Sequence, residues 1–78
     1  RGLLRNVAVA LGNSGNLSAV GPLIGALCDH EPLIRAHVVW ALGELLGEKA
    51  LPILKESLAG ESEEIVNNEI KLVQTTYS

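Results

Sequence analysis

The sequence predicts an all-α protein, a right-handed alpha-solenoid of about two and a half helix pairs containing five helices. Apolar residues recur at three- and four-residue steps, which is the period of an amphipathic helix. Short breaks rich in Gly, Pro, Asn or Ser separate these segments, and the whole pattern returns after 31 residues. A repeat of this length joined by short turns is typical of helix pairs that stack along one axis.

The clearest helix covers residues 32–46. Pro32 fits the first helical position because the N–H that proline lacks would have no partner there. Gly47 follows the last apolar position and suits a helix end with a positive φ. The apolar positions of this helix form one stripe: Ile34, Val38, Leu42 and Leu45, widened by Val39 and Leu46.

Four other segments complete the set of predicted helices, over 2–13, 17–29, 32–46, 48–59 and 63–75. The turn at residues 13–16 consists of Asn, Ser and Gly, which tolerate unusual backbone angles. Gly60 is expected to stop the fourth helix and Ser62 to cap the fifth. Pro22 and Pro52 lie near helix starts, so each is expected to cause a kink or a short first turn without breaking its helix.

The repeat is visible in the letters themselves. The tripeptide Ala-Leu-Gly at residues 10–12 returns at residues 41–43, and the same offset pairs Ile34 with Ile65. A three-helix bundle, the alternative fold, leaves this offset unexplained. We therefore read one domain, residues 1–78, as a fragment of a larger protein: a half-repeat over 1–15 and repeats over 16–46 and 47–78.

Composition restricts the kinds of site that this chain can hold. The net charge of −3 argues against a broad basic surface for nucleic acid. The single cysteine, Cys28, excludes an internal disulfide or a multi-cysteine cluster within these residues, and indicates a reducing compartment. Cys28 continues the apolar stripe of Leu17, Val20, Ile24 and Leu27, so we expect it to be buried. No apolar run approaches the roughly 20 residues of a membrane span.

Two blocks resemble a known family. Residues 4–15, LRNVAVALGNSG, and residues 31–43, EPLIRAHVVWALG, are similar to HEAT-like repeats of the short bacterial type. Together they resemble the C-terminal HEAT-like segment of the epoxyqueuosine reductases, iron–sulfur and cobalamin enzymes of queuosine biosynthesis in tRNA. The resemblance covers most of residues 3–59 and weakens after Gly60. Ala36 stands where the family pattern has glycine.

The resemblance implies a function for the parent protein. Its HEAT-like module would help to hold tRNA against the upstream catalytic domain of the same chain, which reduces epoxyqueuosine to queuosine in the cytoplasm. Two [4Fe–4S] clusters and cobalamin would lie upstream of Arg1, with no cofactor and no catalytic site in this fragment and no membrane partner. The alternative is a protein-interaction or structural scaffold without RNA contact, which the negative charge and aliphatic composition favour.

Six residues are candidates for tRNA or partner binding. The 31-residue offset aligns Asn6, His37 and Asn68 on the second helix of successive units, and Trp40 lies about 60° from His37 on its helix. The resemblance suggests that arginines near the helix starts meet phosphates, with neighbouring polar groups donating hydrogen bonds. The candidates are Arg5, Asn6, Arg35, His37, Trp40 and Asn68.

Each candidate also has a structural interpretation. The aligned polar positions fit an ordinary solvated helix face, and Trp40 fits packing against a neighbouring domain. Arg35 fits a residue that lies over the apolar stripe, pairs with Asp29 or Glu31 and ties units together. The acidic run at residues 61–64 fits a capped, solvated helix start.

Overall fold

The computed structural model describes residues 20–77, which form four α-helices and a short 3-10 turn and contain no β-strand. The elements are α1 (Val20–Ala26), α2 (Pro32–Leu46), the 3-10 turn (Gly47–Lys49), α3 (Ala50–Ser57) and α4 (Glu64–Tyr77). The all-α prediction is therefore confirmed for these residues. The predicted helix over 2–13 lies outside them. No helix within residues 20–77 is long and apolar enough to cross a membrane.

The helix α2 begins and ends where the sequence predicts. Pro32 is its first residue, and the extended backbone of Glu31 before it leaves the Glu31 carbonyl free to accept from the Arg35 N–H at 3.2 Å. At the other end the Gly47 N–H donates to the Gly43 carbonyl, and Gly47 has a φ of 59° and a ψ of −133°. The positive φ is confirmed, but this ψ lies outside the left-handed helical region.

The other helix boundaries differ from the predictions by a few residues. α1 ends at Ala26, because the next three N–H groups bond to carbonyls three residues back and tighten the chain into a turn. α3 begins only at Ala50, after the 3-10 turn, which agrees with a first turn shortened by Pro52. α4 starts at Glu64, so Glu63 and not Ser62 precedes its first helical residue.

Cys28 is exposed, so the prediction that it is buried was wrong. The reason is the tight turn after α1. The Cys28 N–H bonds to the Gly25 carbonyl three residues back, which rotates Cys28 away from the helical stripe. Leu23 and Leu27, in contrast, are buried in the core.

The helix α2 is the centre of the fold. It contacts α4 more extensively than any other element and also packs against α1 and α3. Its core residues therefore extend around most of its circumference and exceed the single stripe that the sequence predicts: Ile34, Ala36, Val38, Val39, Ala41, Leu42 and Gly43 are buried. A helix covered on several sides must be apolar on several sides.

Gly43 allows α2 and α4 to approach closely. A β-carbon added there would lie 2.9 Å from Cγ2 of Val73, closer than any real side chain tolerates. Because Val73 is β-branched and held by its helix, it cannot move aside easily. The glycine in the second copy of the Ala-Leu-Gly motif therefore allows the close packing of two helices.

The helices α2 and α4 begin 32 residues apart. α2 starts at residue 32 and α4 at residue 64. The buried counterpart of Ile34 is Val66, which is fully buried, while Ile65, its partner in the 31-residue offset, is 44% exposed. The one additional residue lies in the segment 58–63 before α4. The division into repeats over 1–15, 16–46 and 47–78 stays a prediction.

Candidate interaction groove

A groove runs along the contact between α2 and α4. It consists of two adjoining pockets, of about 110 Å³ and about 240 Å³, that share Trp40 and Glu69. We call it the Trp40 groove. The first pocket is lined by Leu33, Ala36, His37, Trp40, Ile65 and Glu69. The second is lined by Trp40, Gly43, Glu44, Glu69, Leu72, Val73, Thr76 and Tyr77.

The walls of the groove repeat one spacing. Leu33, His37, Trp40 and Glu44 follow one another on α2 at steps of four, three and four residues. The residues Ile65, Glu69, Leu72 and Thr76 follow the same steps on α4, each 32 positions later. These steps keep all four side chains of each helix on one face. Faces of α2 and α4 with the same spacing therefore form the two walls.

The groove gathers the exposed apolar side chains of the described part of the chain. Among residues 20–77, the large hydrophobic side chains with substantial exposure are those of Leu33, Ile65 and Leu72, which are 36%, 44% and 59% exposed. Each of them lines one of the two pockets. Trp40 is half-buried and packs against the core at the junction of the pockets. A contiguous exposed apolar patch is typical of a surface that binds another molecule.

The charge in the groove is negative. Glu44 is exposed and Glu69 is half-buried, and no lysine or arginine of residues 20–77 lines either pocket. Within these residues, neither carboxylate has a hydrogen-bond or ion-pair partner. The groove thus combines an apolar floor with two carboxylates that are available to a ligand.

Two of the six predicted site residues, His37 and Trp40, lie together in the groove. His37 is fixed by a hydrogen bond at 2.7 Å in which Nδ1–H donates to the Leu33 carbonyl oxygen. Because a carbonyl oxygen can only accept, the proton resides on Nδ1 and Nε2 is left as an acceptor in the neutral ring. The residue is a hydrogen-bonding group on the wall of the groove.

Arg35 lies in a different place, where it connects the start of α2 to the corner before α4. Its Nε and Nη2 atoms donate to the two carboxylate oxygens of Glu61 at 2.8 and 3.0 Å, and Nη1 donates to the Asp29 carbonyl at 2.7 Å. The exposed fractions of the two side chains are 14% for Arg35 and 4% for Glu61. The expected role of Arg35 as a tie is observed, with Glu61 as its ion-pair partner in place of Asp29 or Glu31.

Glu61 is the organising residue of the corner before α4. Its carboxylate also accepts from the Glu63 N–H at 3.0 Å, and its carbonyl accepts from the Asn67 side chain at 3.2 Å. The hydrogen bond from Arg35, aided by the backbone N–H groups of Glu63 and Ser62, lowers the pKa of Glu61 despite its desolvation. The same bond raises the pKa of Arg35. The sequence indicated that Glu61 is solvated, and the structure shows that it is paired.

Of the other candidates that the structure describes, neither Arg35 nor Asn68 lines the groove. Asn68 is exposed on α4, and the groove residue beside it is Glu69. Arg5 and Asn6 lie outside the described residues. A role for these residues and for Arg35 in binding stays a prediction.

The sequence-based reading missed Glu69, Ile65, Leu72 and Tyr77. The signal that could have found them is the pair of matching four-three-four stripes beginning at Leu33 and Ile65. An offset of 31 does not show this match, because it pairs each residue of the Leu33 stripe with the residue just before its counterpart in the Ile65 stripe.

The described residues hold no metal centre. Nowhere in residues 20–77 do three His, Cys, Asp or Glu side chains come together in a way that would hold a metal ion. The [4Fe–4S] clusters and cobalamin that the resemblance implies stay a prediction.

The described helices place the protein in the all-α class, and comparison with known families identifies the kind of helical protein. The family model for HEAT repeats matches residues 2–73, so the chain belongs to the HEAT repeat family.

Two curated proteins contain a similar segment. The chain is 36% identical over 72 residues to an epoxyqueuosine reductase of Staphylococcus aureus, which covers 91% of this chain and 19% of that protein. It is 46% identical over 59 residues to the alpha subunit of a phycocyanobilin lyase of Picosynechococcus, which covers 74% of this chain and 22% of that protein. The chain thus spans about a fifth of the length of each relative. No solved structure gives a significant match.

Proposed function

We propose that the chain is a protein-interaction module of HEAT repeats, a right-handed solenoid of five helices, whose Trp40 groove receives a segment of another protein or domain. The observation that carries this proposal is the collection of exposed Leu33, Ile65 and Leu72 around Trp40 in one groove. Solenoid repeats bind along surfaces built from equivalent helices. A few residues, among which tryptophan and tyrosine are common, provide most of the affinity in protein–protein contacts.

The distribution of charge supports a protein partner over a nucleic acid. All nine acidic residues of the chain fall between positions 29 and 69, against only four lysines and arginines within residues 20–77. The formal charge of this part is therefore −5. One of the four cations, Arg35, is already paired with Glu61. Such a surface repels the phosphate backbone.

Site-specific photo-crosslinking in the native host tests the proposal. A photoreactive amino acid would replace Leu72 in the groove, and the matched control would carry it at exposed Glu56 on α3. We expect a defined protein crosslink, to a partner or to another domain of the same chain, at position 72 only. Crosslinks at both positions, or at neither, would contradict the proposal.

A second candidate function is tRNA binding within an epoxyqueuosine reductase-like parent. It is favoured by the 36% identity to an epoxyqueuosine reductase over 91% of the chain. In this case the parent would be a cytoplasmic iron–sulfur oxidoreductase of queuosine biosynthesis and tRNA processing. Contacts would come from residues 1–19, which supply Arg1 and Arg5, and from His37 at the edge of the groove.

Binding of total tRNA at two salt concentrations separates the two functions. If the chain holds tRNA, affinity should fall steeply between 50 and 200 mM salt, because phosphate contacts release counterions. The Arg5→Ala and His37→Ala variants should weaken binding, and Lys55→Ala should not. Arg35→Ala is unsuitable because it also breaks the tie to Glu61. Binding that is absent at low salt would remove this candidate.

A further inference from the structure

We propose that the larger pocket of the Trp40 groove receives a basic side chain, the ammonium of a lysine or the guanidinium of an arginine, carried by the bound protein segment. The inference rests on the proposed function and adds the chemistry of the partner. It predicts a segment in which apolar residues flank one essential cation.

The chemistry of the pocket walls favours a cation. Glu44 and Glu69 bring two carboxylates to one pocket of about 240 Å³, together with the aromatic rings of Trp40 and Tyr77. Carboxylates form strong charge-assisted hydrogen bonds with basic groups, and the faces of Trp and Tyr attract cations. A basic side chain with an apolar stem fits both features of the pocket at once.

The carboxylates have no other use within the described residues. Neither Glu44 nor Glu69 has a hydrogen-bond or ion-pair partner among residues 20–77, whereas Glu61 is fully engaged with Arg35. Glu69 is also half-buried on the groove wall. Both carboxylates are therefore available to form charge-assisted hydrogen bonds with a bound cation.

The size of the pocket and its surroundings indicate a side chain of a protein. A volume of about 240 Å³ is below the roughly 300–1,000 Å³ of pockets for free small molecules, and suits a single side chain. Exposed Leu72 and Ile65 border the site and would contact apolar neighbours of the cation along the same segment. A free organic cation would leave these apolar residues uncovered.

Selection from a random dodecapeptide phage library on the 78-residue chain provides the probe. We expect the enriched peptides to share one lysine or arginine beside aliphatic residues. The affinity of a selected peptide should fall at least tenfold for the Glu44→Gln/Glu69→Gln variant. The matched control, Glu48→Gln/Glu56→Gln, changes two exposed glutamates outside the groove and should alter affinity less than twofold. Thermal unfolding confirms that both variants are folded.

The outcomes distinguish the two proposals. Peptides that lack a basic residue but lose binding to a Leu72→Glu variant would overturn the cation pocket and leave the groove as an interaction site. Equal losses for both pairs of glutamate variants would also overturn the pocket, since they would report total charge only. If no peptide is enriched, or if enriched peptides bind regardless of Leu72→Glu, both proposals fail. The peptide's basic residue can also be replaced by glutamine. If this change weakens binding to the wild type and not to Glu44→Gln/Glu69→Gln, the basic residue contacts these glutamates.

Discussion

Gly47 shows how much one residue determines at a helix end. It ends α2 with a φ of 59° and a ψ of −133°, and it is the only residue between positions 20 and 77 with a positive φ. This combination is accessible essentially to glycine. The turn that it permits leads directly into the 3-10 residues before α3.

Replacing Gly47 by alanine should therefore destabilise the chain by about 1–3 kcal/mol, the usual range for a strained backbone. Space is not the cause, because the nearest atom to the new β-carbon is on the Tyr77 ring at 3.5 Å. Gly25→Ala is the matched control: it lies in α1 with nothing within 4 Å, so it should be neutral or stabilising. Urea unfolding of both variants measures the difference. Equal effects would show that the Gly47 backbone is unstrained.

The Arg35–Glu61 pair joins elements that are far apart in the sequence. Arg35 lies in the first turn of α2, and Glu61 lies before α4, 26 residues later. The two-point contact fixes the direction in which the chain approaches α4, because the planar guanidinium matches both carboxylate oxygens. The resulting corner holds the two helices that form the Trp40 groove.

The pair should give the chain a pH-dependent stability. Because the pKa of folded Glu61 lies below the ordinary glutamate value of about 4.3, its carboxylate stabilises the fold above that pH. This stabilisation is lost as the pH falls through the lowered pKa. Glu61→Gln should therefore cost about 1–3 kcal/mol at pH 7 and progressively less below pH ~4.

Denaturant unfolding of wild type and Glu61→Gln between pH 7 and pH 2.5 measures this convergence. Glu56→Gln on the exposed face of α3 is the control and should follow the wild type throughout. A constant gap between the wild type and Glu61→Gln across this range would show that the charge of Glu61 is not what the pair contributes.

At the scale of the molecule, one core connects the described elements through α2. Residues from α1 to α4 belong to the same buried cluster, including Leu23, Leu42, Leu54 and Val66. Repeats in such an array stabilise one another through shared interfaces. We therefore expect the described helices to unfold together.

Val66→Ala and Leu72→Ala test this cooperativity with a buried and an exposed position on the same helix. Val66 is fully buried, so its truncation should cost about 2 kcal/mol, whereas Leu72 is 59% exposed and should cost much less. Trp40 fluorescence and far-UV circular dichroism should report one transition, which Val66→Ala shifts in both signals. Separate transitions would indicate that α4 unfolds independently of the rest.

Much of the architecture is determined locally, and the sequence by itself is sufficient for it. Pro32 and Gly47 fix the two ends of α2 through their own backbone restrictions, and the three- and four-residue apolar steps fix the helical class. The 31-residue repeat and the two blocks at residues 4–15 and 31–43 that resemble HEAT-like repeats were also enough to indicate HEAT repeats. The family comparison confirms this prediction.

The tertiary structure alone decided what depends on contacts between distant residues. In the structure α2 and α4 begin 32 residues apart, with Gly43 packed against Val73 and the corner at residues 58–63 before α4, whereas the sequence pattern predicted an offset of 31. The same packing brings Glu69 to Trp40 and Glu61 to Arg35. The position of a helix depends on residues close to it in the sequence. The groove depends on the register in which α4 packs against α2, which involves residues that are distant in the sequence.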